Sequence, residues 1–339
     1  MAEDRFTAVW NQLIPLYQQK AFAPALDLVQ REAACFPQQG LMYHWKMCLA
    51  AQLHDSAQAI QALREALDHG YCYSAALLRD DGDLASLQEL PDYQQLALLA
   101  EQRFVDVEAK TRPALLVIPP EGEPAEPAPV LLALHGWNHN AQMAATQWRP
   151  MAAKGWALAG AQSSQTTASG AFHWNDFARG AAEVLNVYRA LPGAQARDPE
   201  HVLLGGFSTG GGLAIQLAVS GAINARGFIA VGPILPDLEG LMPHLAPASA
   251  RGLRGYLQMG LQMAPEFQEP MRQLHALLNA HGIPCELEEC PEIAHWFPAD
   301  FARSLDKALA FLYREPSGKS SQLSAALYQA VLGGAGFSP

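Results

Sequence analysis

A chain of 339 residues, half of them hydrophobic and only 16% charged, has material for a large buried core and is longer than one ordinary core fills. Its 22 basic and 33 acidic side chains give a formal net charge of −11 with no basic block, which argues against nucleic acid or an anionic membrane as partner. No apolar run has the length to span a bilayer, and the polar, acidic start Met1–Arg5 lacks a signal-peptide layout, so a cytoplasmic protein is expected. The five scattered cysteines (Cys35, Cys48, Cys72, Cys285 and Cys290) fit reduced thiols better than a disulfide framework. Cys285 and Cys290 lie five apart in a strand-like run, on opposite faces. No metal site and no cofactor is expected.

Residues 1 to about 100 predict helices, with apolar residues recurring every three or four positions. Ala23, Ala25, Leu26 and Val29 recur 34 positions on as Ala57, Ala59, Ile60 and Leu63. That period resembles tetratricopeptide repeats over roughly residues 5–70; the other reading is a generic helical cap packed on the second domain. Asp80–Tyr93 reads as a loop and short helices closing this unit. From Arg103 the period changes: Phe104–Glu108 alternates like a strand, and Ala114–Ile118 is continuously apolar. Pro119–Pro129, rich in proline and glutamate, reads as a solvated turn.

Six further strand-like runs follow: Val130–Leu134, Trp156–Ala161, His201–Gly205, Gly227–Val231, Gly255–Met259 and Cys285–Glu289. Between and after them lie helical stretches near 143–154, 176–190, 211–220, 267–281 and 298–313. Apolar strands alternating with helices predict an α/β class: a doubly wound, mostly parallel sheet covered on both faces, preceded by a small all-α domain. The expected domains are residues 1–100, 101–316 and a tail, 317–339.

One segment carries chemistry. The apolar strand from His201 runs straight into Gly206-Phe-Ser-Thr-Gly210, and a helix follows. This is G-x-S-x-G in a strand–turn–helix setting, where a sharp turn exposes the serine and the helix N-terminus faces developing negative charge. With it, residues 103–314 resemble the α/β-hydrolase superfamily, and within it dienelactone hydrolases, carboxylesterases and prolyl-oligopeptidase-like members. The resemblance makes Ser208 the nucleophile and His295, in Pro291-Glu-Ile-Ala-His-Trp-Phe-Pro298 after the last strand, the general base. His135-Gly136-Trp137 ends an earlier strand, so the backbone N–H groups of Trp137 and Thr209 are the implied oxyanion hole, with His135 structural. Ala161–Gln165 looks like a substrate-side loop. A histidine base of ordinary pKa implies activity falling below about pH 6–7.

The acid departs from the family pattern. Three residues past Gly260, where the family places an aspartate, stands Met263. Glu266 on the same loop and Asp237 after the preceding strand are the candidates, with Glu266 favoured. The remaining option is no acid at all. Trp137, Trp174 and Trp296 fall on loops at the C-terminal edge of the sheet and suit a small acyl or aryl ester; Trp174 and Trp296 are the candidate substrate-binding residues. His139 and His173 read as exposed loop residues. No large lid fits between Gly232 and Arg251, so the helical domain is expected to influence entry to the site, and to be where a protein partner or a second copy would bind. The alternatives to an esterase are a serine peptidase, suggested by Gly210-Gly211, and a degenerate hydrolase serving as an interaction scaffold.

Overall fold

The computed structural model describes residues 2–36, 39–122, 128–191, 198–235 and 237–314; the expected tail, 317–339, lies outside them. Six helices come first: α1 (Ala2–Gln18), α2 (Phe22–Glu32), α3 (Leu41–Gln52), α4 (Ser56–Asp68), α5 (Ala75–Arg79) and α6 (Pro91–Lys110). Local chemistry explains their starts. The Asp55 side chain accepts the Gln58 N–H at 2.9 Å to cap α4, and Pro91, which has no N–H to leave unpaired, opens α6. The 34-residue recurrence falls on equivalent faces of α2 and α4. Ala25, Leu26 and Val29 are buried in the first, Ala59 and Leu63 in the second.

The Phe104–Glu108 alternation is not a strand but the last turns of α6. Its buried residues Ala97, Ala100 and Phe104 keep helical spacing, while Val105 and Val107 are exposed on the outer side. A five-residue alternation is too short to compete with the 20-residue helix around it. The expected boundary at residue 100 therefore falls inside α6.

Seven strands form the main sheet: β1 (Ala114–Ile118), β2 (Val130–Leu134), β3 (Ala157–Gln162), β6 (Val202–Phe207), β7 (Gly227–Val231), β8 (Arg254–Gly260) and β9 (Cys285–Cys290). Their order is β1-β3-β2-β6-β7-β8-β9, with β1 antiparallel and the others parallel. Alternate residues feed two cores. Leu132, Leu204, Phe228 and Leu257 pack on one face under α8 (Phe177–Arg189), α9 (Thr209–Ser220), α10 (Met242–Ala250) and α11 (Pro265–Ala280). Leu131, Leu203, Ile229 and Tyr256 pack on the other under α7 (Ala141–Trp148) and α12 (Phe301–Leu312). This is the doubly wound, mostly parallel architecture that unbroken apolar strands require.

A short hairpin, β4 (Thr166–Ala168) with β5 (Ala171–Phe172), leaves the sheet and reaches the helices. The Ser74 N–H donates to Thr167 O at 2.7 Å, the Gly40 N–H to Ser169 O at 2.9 Å, and the Ser169 N–H to Cys72 O at 3.2 Å. Met143, Ala168 and Ala171 complete the helical domain's own core. The helices and the sheet thus share buried surface and backbone bonds, so the helical part is joined to the sheet part rather than hung from it. Among the described residues no helix is long and apolar enough to cross a membrane.

Candidate active site

β6 is the central strand of the seven, and its last residue, Phe207, hands the chain to Ser208 at φ 55°, ψ −125°. Such a left-handed conformation in a non-glycine residue costs on the order of 1–3 kcal/mol. Three backbone bonds hold it: the Ser208 N–H donates to Val231 O, and Ser208 O accepts from the Gly212 and Ile234 N–H groups, all at 3.0 Å. The turn is so tight that a Cβ on Gly206 would lie 2.4 Å from Gly210 O, and one on Gly210 would lie 2.2 Å from His135 O. Every contact there is to backbone, which cannot step aside, so both positions exclude larger residues.

His295 follows β9 and reaches back across the sheet edge. Its Nε2 lies 2.9 Å from Ser208 Oγ. The ring leans on Phe207, with centroids 5.0 Å apart. Its other nitrogen, Nδ1, is buried and has no hydrogen-bond partner among the described residues. Burial alone pushes the His295 pKa down to about 4, and no carboxylate acts to raise it. The His295 imidazole is therefore neutral well below pH 6, lower than an imidazole of ordinary pKa allows.

The expected acid is corrected accordingly. Glu266 stands exposed in the first turn of α11, where a carboxylate favours the helix dipole. Asp237 is exposed and accepts the Gly240 N–H at 2.5 Å, a local turn cap. Glu288 on β9 is taken by Gln258 Nε2, at 2.8 Å, and by Lys307. Beside Nδ1 stands instead Gly232, at φ +50°, where a Cβ would lie 3.0 Å from that nitrogen. Met263 is buried and lines a small cavity with His295.

The His135-Gly136-Trp137 segment, expected to supply an oxyanion N–H, is built as a rigid turn. His135 is buried, and its Nε2 accepts the Ser163 N–H at 3.3 Å, so the proton sits on Nδ1 and donates to Gly136 O at 2.9 Å. Burial holds its pKa near 4, so it is neutral and structural. Trp137 follows in the turn with an exposed side chain, and Thr209 is the first residue of α9. The Thr209 hydroxyl is buried with no partner among the described residues.

The tryptophans divide. Trp174 is fully buried, stacked on His135 at 4.8 Å, with its Nε1–H donated to His135 O at 2.9 Å. It braces the His135–Trp137 turn from inside and is not exposed to a substrate, contrary to expectation. Trp296 packs edge-on against Phe207 and His139 and donates its Nε1–H to Asn11 Oδ1 on α1 at 2.6 Å. His139 is likewise no surface residue: it is buried and stacked on Phe207, and burial pushes its pKa to about 3. The Ala161–Gln165 loop is buried too. Glu183 accepts the Ser164 N–H at 3.0 Å and pairs with Arg179 at 2.9 Å, so this loop is a structural brace. Sequence reasoning missed α1 as a wall of the site. Gln18 lines the cavity of about 230 Å³ with His295, Ile234, Met263, Ala264 and Phe267. A second cavity of about 770 Å³ lies between α1 and the Trp296–Ala302 segment. Only an amphipathic pattern marks α1 in sequence, and that pattern names no partner.

Residues 5–109 match the A/B hydrolase-like N-terminal domain family. Over 91% of its length the chain superposes on 98% of an uncharacterized protein from Bacillus cereus ATCC 10987, at 24% identity and a TM-score of 0.51. With the doubly wound, mostly parallel sheet, this likeness shows an α/β-hydrolase-like fold. Carboxylesterases of Bacillus cereus (14% identity, 60% of this chain and 96% of that one, TM-score 0.43) and Mesorhizobium loti (18%, 54% and 88%, 0.43) are more distantly similar. No curated protein matches the chain.

Proposed function

We propose that this protein is an α/β-hydrolase that cleaves small acyl or aryl esters through an acyl-enzyme intermediate, using Ser208 as nucleophile and His295 as general base in a two-residue centre. The observation that carries the reading is the 2.9 Å contact between Ser208 Oγ and a neutral His295 Nε2. The Ser208 oxygen attacks the ester carbonyl as Nε2 takes its proton, and the imidazolium returns that proton to the leaving alkoxide. Water then repeats the sequence on the acyl-enzyme. The N–H groups of Trp137 and Thr209 hold the tetrahedral oxyanion; losing one such donor costs about 3 kcal/mol of transition-state stabilisation. The cavity of about 230 Å³ walled by Ile234, Met263, Ala264 and Phe267 suits a short apolar acyl group.

The unpartnered Nδ1 favours a second reading, a degenerate hydrolase that acts mainly as a scaffold. Removing the acid from a complete triad lowers turnover by about 10⁴. Fluorophosphonate labelling beside a p-nitrophenyl ester series of rising acyl length separates the two. The esterase reading expects wild-type labelling and short-chain hydrolysis, both lost in Ser208→Ala. Absence of labelling in the folded wild type sinks it in favour of the scaffold.

A further inference from the structure

A second cluster of reactive side chains lies in the helical domain, in the fold away from Ser208. His44 and Cys48 stand one turn apart on α3, both buried. Asp81, in the turn after α5, completes the group. His44 Nε2 is 3.4 Å from Asp81 Oδ2, Cys48 Sγ is 3.7 Å from the same oxygen, and Sγ is 3.8 Å from Nε2. We propose that His44, Cys48 and Asp81 form a binding site for a divalent transition-metal ion of the zinc class, the fourth position being left to water.

Geometry supports this. Zinc bonds of about 2.3 Å to sulfur and 2.0–2.2 Å to nitrogen and oxygen, set tetrahedrally, give edges of about 3.4 Å for N–O and about 3.6 Å for S–O and S–N. The three distances fit those edges to within a few tenths of an ångström. Sγ is 3.8 Å from both His44 ring nitrogens, so the imidazole edge lies within reach of the cluster. Asp81 is free to serve: Oδ1 caps the Asp83 N–H at 2.9 Å, and Oδ2 faces the cluster. Its partial exposure gives water and the ion a way in.

Charge points the same way. Asp83, whose Oδ2 accepts the Tyr17 hydroxyl at 2.7 Å, places a second carboxylate beside the thiol. A bound dication displaces the proton of the Cys48 thiol. The thiol loses one proton, sulfur bonds the metal, and the imidazole proton moves from Nε2, where it now meets Leu77 O at 3.1 Å, to Nδ1. The cysteine spacing that argued against a metal concerned Cys285 and Cys290; this site is assembled across α3 and a distant turn.

Untagged full-length protein, stripped of metal, is titrated with zinc chloride by calorimetry and with cobalt(II) by absorption. The expected result is one equivalent of zinc, release of about one proton, and a thiolate-to-cobalt charge-transfer band. Asp81→Asn retains the Oδ1 cap and should weaken zinc at least about tenfold; Cys48→Ser should abolish the band. Thermal melts of the metal-free variants confirm that both fold. No stoichiometric binding, undiminished affinity in Asp81→Asn, or a band that persists in Cys48→Ser overturns the site.

Discussion

If His295 is the base, the pH dependence of Ser208 reactivity reports its surroundings directly. The base must be neutral, so reactivity is present above its pKa and lost as pH falls through it. With the pKa held near 4 by burial, about 90% of the imidazole is neutral at pH 5; at an ordinary 6.5 only about 3% is. Lowering the pH from 8 to 5 should therefore cut the fluorophosphonate labelling rate by about a tenth, not about thirtyfold. Labelling is the right assay because it reads the attack step without needing turnover or an ionised nitrophenol. The fold must be watched in parallel. Unfolded histidine takes up protons near pH 6.5 while folded His295 and His135 do so only near 4, so stability present above pH 6.5 is lost as pH falls toward 4, by about 3 kcal/mol for each. Circular dichroism fixes the range in which the labelling data count. A limb centred near 6.5 in folded protein would refute the reasoning, because it requires a carboxylate or bulk water at Nδ1.

Three substitutions test other parts of the site. Gly210→Ala sets a Cβ 2.2 Å from His135 O and 2.7 Å from Leu134 O, so chemical denaturation should show a loss of about 3 kcal/mol or more, together with loss of labelling; a near wild-type midpoint would mean the elbow is looser than described. Gly232→Ala brings a left-handed backbone cost of about 1–2 kcal/mol and a Cβ 3.0 Å from His295 Nδ1. The ring should move and labelling slow about tenfold, a 1.4 kcal/mol effect, and unchanged labelling would remove Gly232 from the positioning of the base. Asn11→Ala breaks the 2.6 Å link from α1 to Trp296 and should change the acyl-chain preference with little effect on stability; an identical profile across the ester series would leave α1 as packing only.

The sheet was legible because its physics is local. Val130–Leu134 and Gly227–Val231 are buried along their whole length, and only strands covered on both faces carry such unbroken apolar runs. G-x-S-x-G was legible because a close backbone approach restricts the residue type itself. The β4–β5 hairpin was not: Thr166–Ala168 is three residues long, and its partners across Ser74 and Gly40 come from the far end of the sequence. Burial of Trp174 and His139 was hidden for the same reason, since a loop tryptophan has one composition whether it lines a pocket or braces a turn. The missing acid was visible as Met263 where a carboxylate was expected. Only three-dimensional placement shows that neither Glu266 nor Asp237 replaces it.

Two features of the centre pull in opposite directions, and their balance bears on what the protein does. Ser208 keeps a conformation that costs on the order of 1–3 kcal/mol and needs glycine at two flanking positions. A scaffold has no chemical use for a serine held at φ 55°. The strain is thus an argument for attack chemistry at Ser208. The unpartnered Nδ1 limits the other half of the cycle. An imidazolium formed in the transition state receives no carboxylate there, and the same burial that keeps the base neutral disfavours its charged form. If Ser208 is the nucleophile and His295 the base, strain and burial together give a centre whose serine is placed to react once while its histidine is poorly stabilised after taking the proton. Labelling that reaches completion alongside slow ester turnover is the behaviour this combination produces. Fast turnover would require a hydrogen-bond acceptor at Nδ1, whether supplied by water or by the substrate itself.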